Sequence, residues 1–165
     1  VHDKTFLYVD VGGGSTELTI YSEGKTIVSK SFKMGTVRLI NNLVDDIMWG
    51  QMKDWIKNNT RNYNHITLLG TGGNINSTYK FSGKKIGTPL SYRYLVTYFN
   101  KVKALSYDDR IFELDMNPDR ADVIIPALKI YIFAMKWSGA EYVYVPKVGL
   151  SDGIIRSLYN EKLNS

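Results

Sequence analysis

The sequence has no cysteine among its 165 residues, which excludes a disulfide scaffold, a thiolate zinc site and a cysteine nucleophile. Histidine is almost missing too. His2 and His65 stand isolated and offer neither a metal-ligand pair nor a triad. No apolar run approaches the roughly 18–20 residues of a membrane span, and the stretch between Lys4 and Asp10 is too short for a secretory signal. No linker, repeat or low-complexity segment interrupts the chain. Neither charge sign dominates: 21 Lys+Arg against 16 Asp+Glu leave a net charge of +5. That tilt favours an anionic partner but lacks the basic cluster of a nucleic-acid surface. Neither nucleic acid nor a membrane is therefore expected as a partner, and the lack of thiols fits a reducing, cytoplasmic compartment. The chain opens Val-His-Asp-Lys rather than with Met and reads as a piece of a longer protein.

What remains is ordinary globular material, 44% hydrophobic and 22% charged, in one domain over residues 1–165 that can bury roughly 70% of its unfolded surface. Phe6 to Val11 is β-branched and aromatic and stops at three glycines, the pattern of a buried strand entering a tight turn. Thr16 to Tyr21 alternates polar and apolar residues, and after Glu23-Gly24 a third strand runs from Thr26 to Phe32. These make an antiparallel meander. Beyond Gly35, Val37, Ile40, Leu43, Val44, Ile47 and Met48 recur at helical spacing, and Met52, Trp55 and Ile56 continue the stripe up to the Asn-rich stretch 58–64. His65 to Leu69 predicts a strand into Gly70-Thr-Gly-Gly73, followed by Ile75 to Phe81. Helices are expected over Ser91–Leu105, 106–115, Ala121–Trp137 and Asp152–Leu163, with a strand over Glu141–Val145. Ala121–Trp137 is apolar at more positions than one stripe can hold, so it should be the most buried helix. The fold class is α/β, a mixed sheet covered by helices.

The strongest local signal is Asp10-Val-Gly-Gly-Gly-Ser-Thr-Glu17. Gly12, Gly13 and Gly14 allow close approach to the main chain. Their N–H groups, with the Ser15 and Thr16 hydroxyls, suit a nest for an anionic oxygen. Asp10 and Glu17 face the same turn, and two carboxylates beside a phosphate loop suit an Mg²⁺ ion that keeps most of its waters. The plain alternative is a glycine-rich hairpin with two solvated acids. Gly70, Thr71, Gly72 and Gly73 form a second strand–turn–helix element, either an anion site at a helix start or a site of close strand–helix packing. Neither cluster matches the dinucleotide fingerprint or the Walker lysine pattern. Together they suggest two walls of one phosphate cleft. Arg38 lies within reach of a phosphate or else is simply solvated; Arg120 and Asp122 open the buried helix. Ser151 or Asp152, within Gly149–Gly153, is most simply an N-cap.

In this order and rough spacing, Asp10-x-Gly-Gly-Gly-Ser-Thr-Glu17, Met34-Gly-Thr-Val-Arg-Leu39, Gly70-Thr-Gly-Gly73, Arg120-Ala-Asp122 with Pro126, and Gly149-Leu-Ser-Asp-Gly153 resemble the exopolyphosphatase/guanosine pentaphosphate phosphohydrolase (Ppx/GppA) family along nearly the whole chain. The resemblance implies an actin-like ATPase (ribonuclease H-like) fold in which two domains close on phosphates. This chain would be the second of them. It also implies Mg²⁺ at Asp10 and Glu17, phosphate at Gly12 to Ser15, and a first phosphate loop and water-activating glutamate upstream. Neither of those upstream elements is in this sequence. The implied chemistry is removal of a terminal phosphate from polyphosphate or guanosine pentaphosphate by water, with Asp10 and Glu17 as the acids that hold the metal, Glu17 alternatively orienting the water. Two other readings stay open: a phosphotransferase of sugar- or acetate-kinase type, and a non-catalytic domain that binds nucleotide or polyphosphate.

Overall fold

A computed structural model describes residues 4–146. The meander is present as β1 (Thr5–Val11), β2 (Thr16–Ser22) and β3 (Lys25–Phe32). Then follow α1 (Thr36–Ile40), α2 (Asp46–Thr60), β4 (Ile66–Thr71), α3 (Gly73–Ser82) and a two-residue β5 (Leu90–Ser91). The described chain ends with α4 (Tyr92–Ala104), α5 (Tyr107–Glu113), α6 (Pro118–Ala121), α7 (Ile124–Ser138) and β6 (Tyr142–Tyr144). These strands form one mixed sheet in the order β3-β2-β1-β4-β6-β5. β1 pairs antiparallel to β2 and parallel to β4, and β4 pairs parallel to β6. This is the expected actin-like mixed sheet with its leading antiparallel hairpins.

Period-two alternation divides the sheet into two unlike faces. Leu7, Val9, Val11, Leu18, Ile20 and Leu68 join the main core with residues of α2, α4 and α7. The opposite face carries Phe6, Tyr21 and Leu69 with Tyr8 and Tyr144 packed against them. Asp10 has the parity of Phe6 and Tyr8, so it belongs to this second face, at the end of its strand. Helix α7 buries Ile124, Ala127, Leu128, Ile130, Tyr131, Ala134 and Met135, more than any other described helix. Ala121 itself belongs to the separate turn α6, so the buried helix starts three residues later than its apolar pattern suggests.

The stripe from Val37 to Ile56 is not one helix packed on the sheet. It breaks over 41–45, where Asn42 takes a positive φ of 54° and Asp45 caps α2 by accepting from the Met48 amide at 2.8 Å. Met52 and Ile56 are buried, whereas Val37, Ile40, Leu43 and Ile47 are 45–70% exposed. The cause lies in the tertiary contacts: the first turn of α1 is fixed to the glycine loop and does not continue into α2. The helix over 152–163 and the Gly149–Gly153 element lie outside the described residues.

Candidate functional site

β1 ends and β2 begins on either side of the Gly12–Ser15 turn, and the turn is clamped through its carbonyls. Thr36 and Val37, at the start of α1, donate their amides to the Gly12 and Gly13 oxygens at 3.0 Å each. Arg38 donates Nε–H to the Gly14 oxygen at 2.8 Å. The Gly12 amide is used within the turn, to Ser15 O at 2.9 Å. The Gly13 and Gly14 amides meet no backbone acceptor among the described residues. Acceptors are consumed and donors left over, which makes the turn complementary to an anion. Gly35 makes the clamp possible. A Cβ there would stand 2.2 Å from Gly13 O, 2.3 Å from Gly13 C and 2.5 Å from Gly14 N.

Asp10 and Glu17 are direct cross-strand partners, and Asp10 is the parallel partner of Thr71. Ser31 of β3 lies opposite Glu17, so one row across the sheet reads Ser31, Glu17, Asp10, Thr71. Glu17 Oε1 accepts from Ser31 Oγ at 2.7 Å and Ser15 Oγ at 3.1 Å. Burial, and secondarily the nearby Glu17 charge, raise the Asp10 pKa, while the hydroxyls of Thr71 and Tyr8 oppose that rise. Tyr8 is raised by burial first, with the Asp10 and Glu17 charges adding to it. Thr16, placed in the nest by sequence reasoning, is instead fully buried and donates to the Met34 carbonyl at 2.5 Å. It supports the clamp from beneath.

The second turn stands beside the first. A Cβ on Gly72 would lie 3.1 Å from Val11 O and 3.7 Å from Asp10 Oδ1, and its φ of 119° favours glycine. Gly70 is different: it is buried within β4, and its missing side chain makes room for Tyr131, Val143 and Ile75 at 3.1–3.3 Å. The structure gives Gly70 a packing place inside the sheet. Gly73 opens α3 beneath the Arg120 guanidinium, whose Nη2 would be 2.3 Å from a Cβ there. From this point a pocket of about 600 Å³ opens, with Asn76, Lys80, Asn117 and Arg120 among its polar lining and Phe81 and Met116 among its apolar lining. Arg120 thus joins the site, although its sequence position suggested only a helix opening. Ser31 could have been found by counting the β2–β3 register, and Gly35 by its place before Thr36-Val-Arg38. Nothing in the sequence pointed to Tyr8 or Tyr131.

The donor set fits a hydrated divalent cation. Two carboxylates face each other without an intervening base, and among the described residues no group of three or more His, Cys, Asp or Glu gathers to form a full ligand cage. No described helix is long and apolar enough to cross a membrane.

Comparison with known proteins agrees with this geometry. No curated protein matches the chain. The fold matches a crystal structure of the Aquifex aeolicus Ppx/GppA phosphatase, type II variant, at a TM-score of 0.72 and 20% identity, over 94% of this chain and 57% of that one. It also matches an exopolyphosphatase from Cytophaga hutchinsonii at a TM-score of 0.71 and 19% identity, over 97% and 58% respectively. The chain therefore spans less than two thirds of the length of these relatives. The Ppx/GppA phosphatase family matches residues 1–162, and with the motifs, the sheet and the loop all in agreement, the chain belongs to that family.

Proposed function

We propose that this chain supplies the metal-holding, phosphate-binding part of a phosphohydrolase that removes the terminal phosphate of inorganic polyphosphate or guanosine pentaphosphate. One observation carries the reading: a turn with its carbonyls paired and two amides left over stands next to paired carboxylates. An anion on those amides would be repelled by Asp10 and Glu17 unless a cation lay between them. Mg²⁺, held by Asp10 and Glu17 largely through its waters, would supply charge neutralisation at the phosphoryl oxygens.

The chain's own groups then have distinct tasks. The Gly13 and Gly14 amides bind the terminal phosphoryl oxygens. The guanidinium of Arg38, fixed by its Nε to Gly14, presents its terminal nitrogens beside that group. Glu17 keeps one oxygen on Ser15 and Ser31 and has the other to help hold the cation or to orient the attacking water. In the reaction the water oxygen bonds to the terminal phosphorus. The bridging P–O bond breaks, its electron pair stays on the shortened chain, and the water's proton passes to a base, for which the family resemblance implies a glutamate upstream of these motifs. The pocket beside Gly73, with cationic and amide groups around an apolar lining, suits the nucleoside of guanosine pentaphosphate better than a bare run of phosphates.

The test is phosphate release by the intact protein from both substrates, with Mg²⁺ and with a chelator, for wild type and Asp10→Asn. The expected result is Mg²⁺-dependent release that falls at least about a hundredfold in the variant. Unchanged release under chelation, or transfer of phosphate from ATP to a sugar or acetate acceptor in its place, would refute the hydrolase reading.

A further inference from the structure

We infer that Tyr131 is a positioning residue for the Asp10 carboxylate, acting through the Thr71 main chain; this rests on the reading of Asp10 as a metal-side acid. Tyr131 belongs to α7, which packs on the main-core face of the sheet, whereas Asp10 lies on the other. Its ring slides beneath β4 where Gly70 has no side chain, with Cε1 3.1 Å from the position a Gly70 Cβ would take. The hydroxyl emerges at the strand end, 3.5 Å from the corresponding point on Gly72, where Val11 O and Asp10 Oδ1 also converge. The residue is fully buried, so its hydroxyl needs partners. It donates to the Thr71 carbonyl.

Thr71 is gripped a second time through its side chain. Its Oγ1 lies 2.9 Å from the Tyr8 hydroxyl, and Thr71 is the parallel-strand partner of Asp10. Tyr131 therefore holds the Thr71 peptide, and the hydrogen-bonded Thr71 and Tyr8 flank Asp10. Gly70 clears the path for this side chain. Phenylalanine would preserve the ring packing and leave the Thr71 carbonyl without its donor, freeing the peptide to rotate. A residue that only packed would be replaced by phenylalanine without effect on the site.

The experiment measures Mn²⁺ binding by electron paramagnetic resonance, with no substrate present, alongside thermal melting of the intact protein. The variants are Tyr131→Phe, Thr71→Val, their double combination, and the conservative Thr71→Ser. Tyr131→Phe should weaken Mn²⁺ binding about three- to tenfold, the worth of one hydrogen bond to a carboxylate's support, and Thr71→Val should do the same. The double variant should fall short of the product of the two effects, and Thr71→Ser should bind as wild type does. Unchanged Mn²⁺ binding in Tyr131→Phe, with or without a lower melting temperature, would overturn the positioning role alone. Additive losses in the double variant would also overturn it. If wild type binds no Mn²⁺, the metal reading itself fails and this inference fails with it.

Discussion

Replacing Gly35 with alanine tests the clamp that holds the glycine turn. Its φ of −117° is available to any residue, so alanine meets no conformational objection and the effect is purely steric. The new methyl would overlap backbone atoms of Gly13 and Gly14 at 2.2–2.5 Å, and backbone cannot swing aside as a side-chain tip can. Restoring contact distance needs a shift of about 1 Å. Overpacking of this kind costs about 1–3 kcal/mol. The bonds from Thr36 and Val37 to the turn, both 3.0 Å, would lengthen and add about 0.5–1.5 kcal/mol each. A total of about 2–6 kcal/mol lowers the melting temperature of a chain this size by about 4–24 °C. Displacing the nest by that amount should also reduce phosphate release about a hundredfold in the protein that remains folded. Gly14→Ala is the control, since no atom lies within 4 Å of its would-be Cβ, and its melting temperature should stay within about 2 °C of wild type. Scanning calorimetry on both variants decides the matter. Equal melting temperatures for Gly35→Ala and Gly14→Ala would refute the clamp.

Asp10→Asn and Glu17→Gln should each abolish most activity while leaving the metal-free melting temperature equal to or above wild type, because each removes one of two facing charges; unfolding of either variant at ordinary temperature would count against this. Since the folded pKa of Asp10 is raised, the folded state holds its proton more tightly than the unfolded chain does. In the window from the ordinary carboxylate value up to the raised one, the stability contributed by this group is lost as pH rises. Metal-free wild type should accordingly gain stability on acidification through that window relative to Asp10→Asn, which melting curves across pH would show. Gly73→Ala would push only against the flexible end of Arg120, so it should melt like wild type yet raise KM for guanosine pentaphosphate in the same manner as Arg120→Ala; unequal effects on the two would break the link between Gly73 and the pocket.

The strands were legible because their alternation reports directly which side chains share a face. Asp10 and Glu17 meet because both flank a short turn between paired strands, which the motif spacing already required. The run from Val37 to Ile56 misled for an equally physical reason. Helical spacing is a statement about angle, and the exposed Val37, Ile40, Leu43 and Ile47 keep that spacing across a break it cannot register. The break was written in chemistry rather than periodicity, in Asn41-Asn42 and in the capping Asp45. The fixed start of α1 depends on contacts with Gly12 and Gly13, more than twenty residues earlier, and no local pattern carries that information.

The site shows the same limit residue by residue. Glycine in a motif says that a side chain is unwelcome, without saying what would meet it. At Gly35 the obstacle is the backbone of the nest, at Gly70 the ring of Tyr131, and at Gly73 the guanidinium of Arg120. Gly13 and Gly14 keep amides turned away from every backbone acceptor described. Reading every glycine of the two turns as a phosphate contact therefore passes over these protein neighbours. The others keep the turns tight, aligned and close to Asp10. Since phosphoryl transfer depends on positioning and charge rather than on a covalent nucleophile, residues that fix the nest belong to the mechanism as much as those that would touch the phosphate.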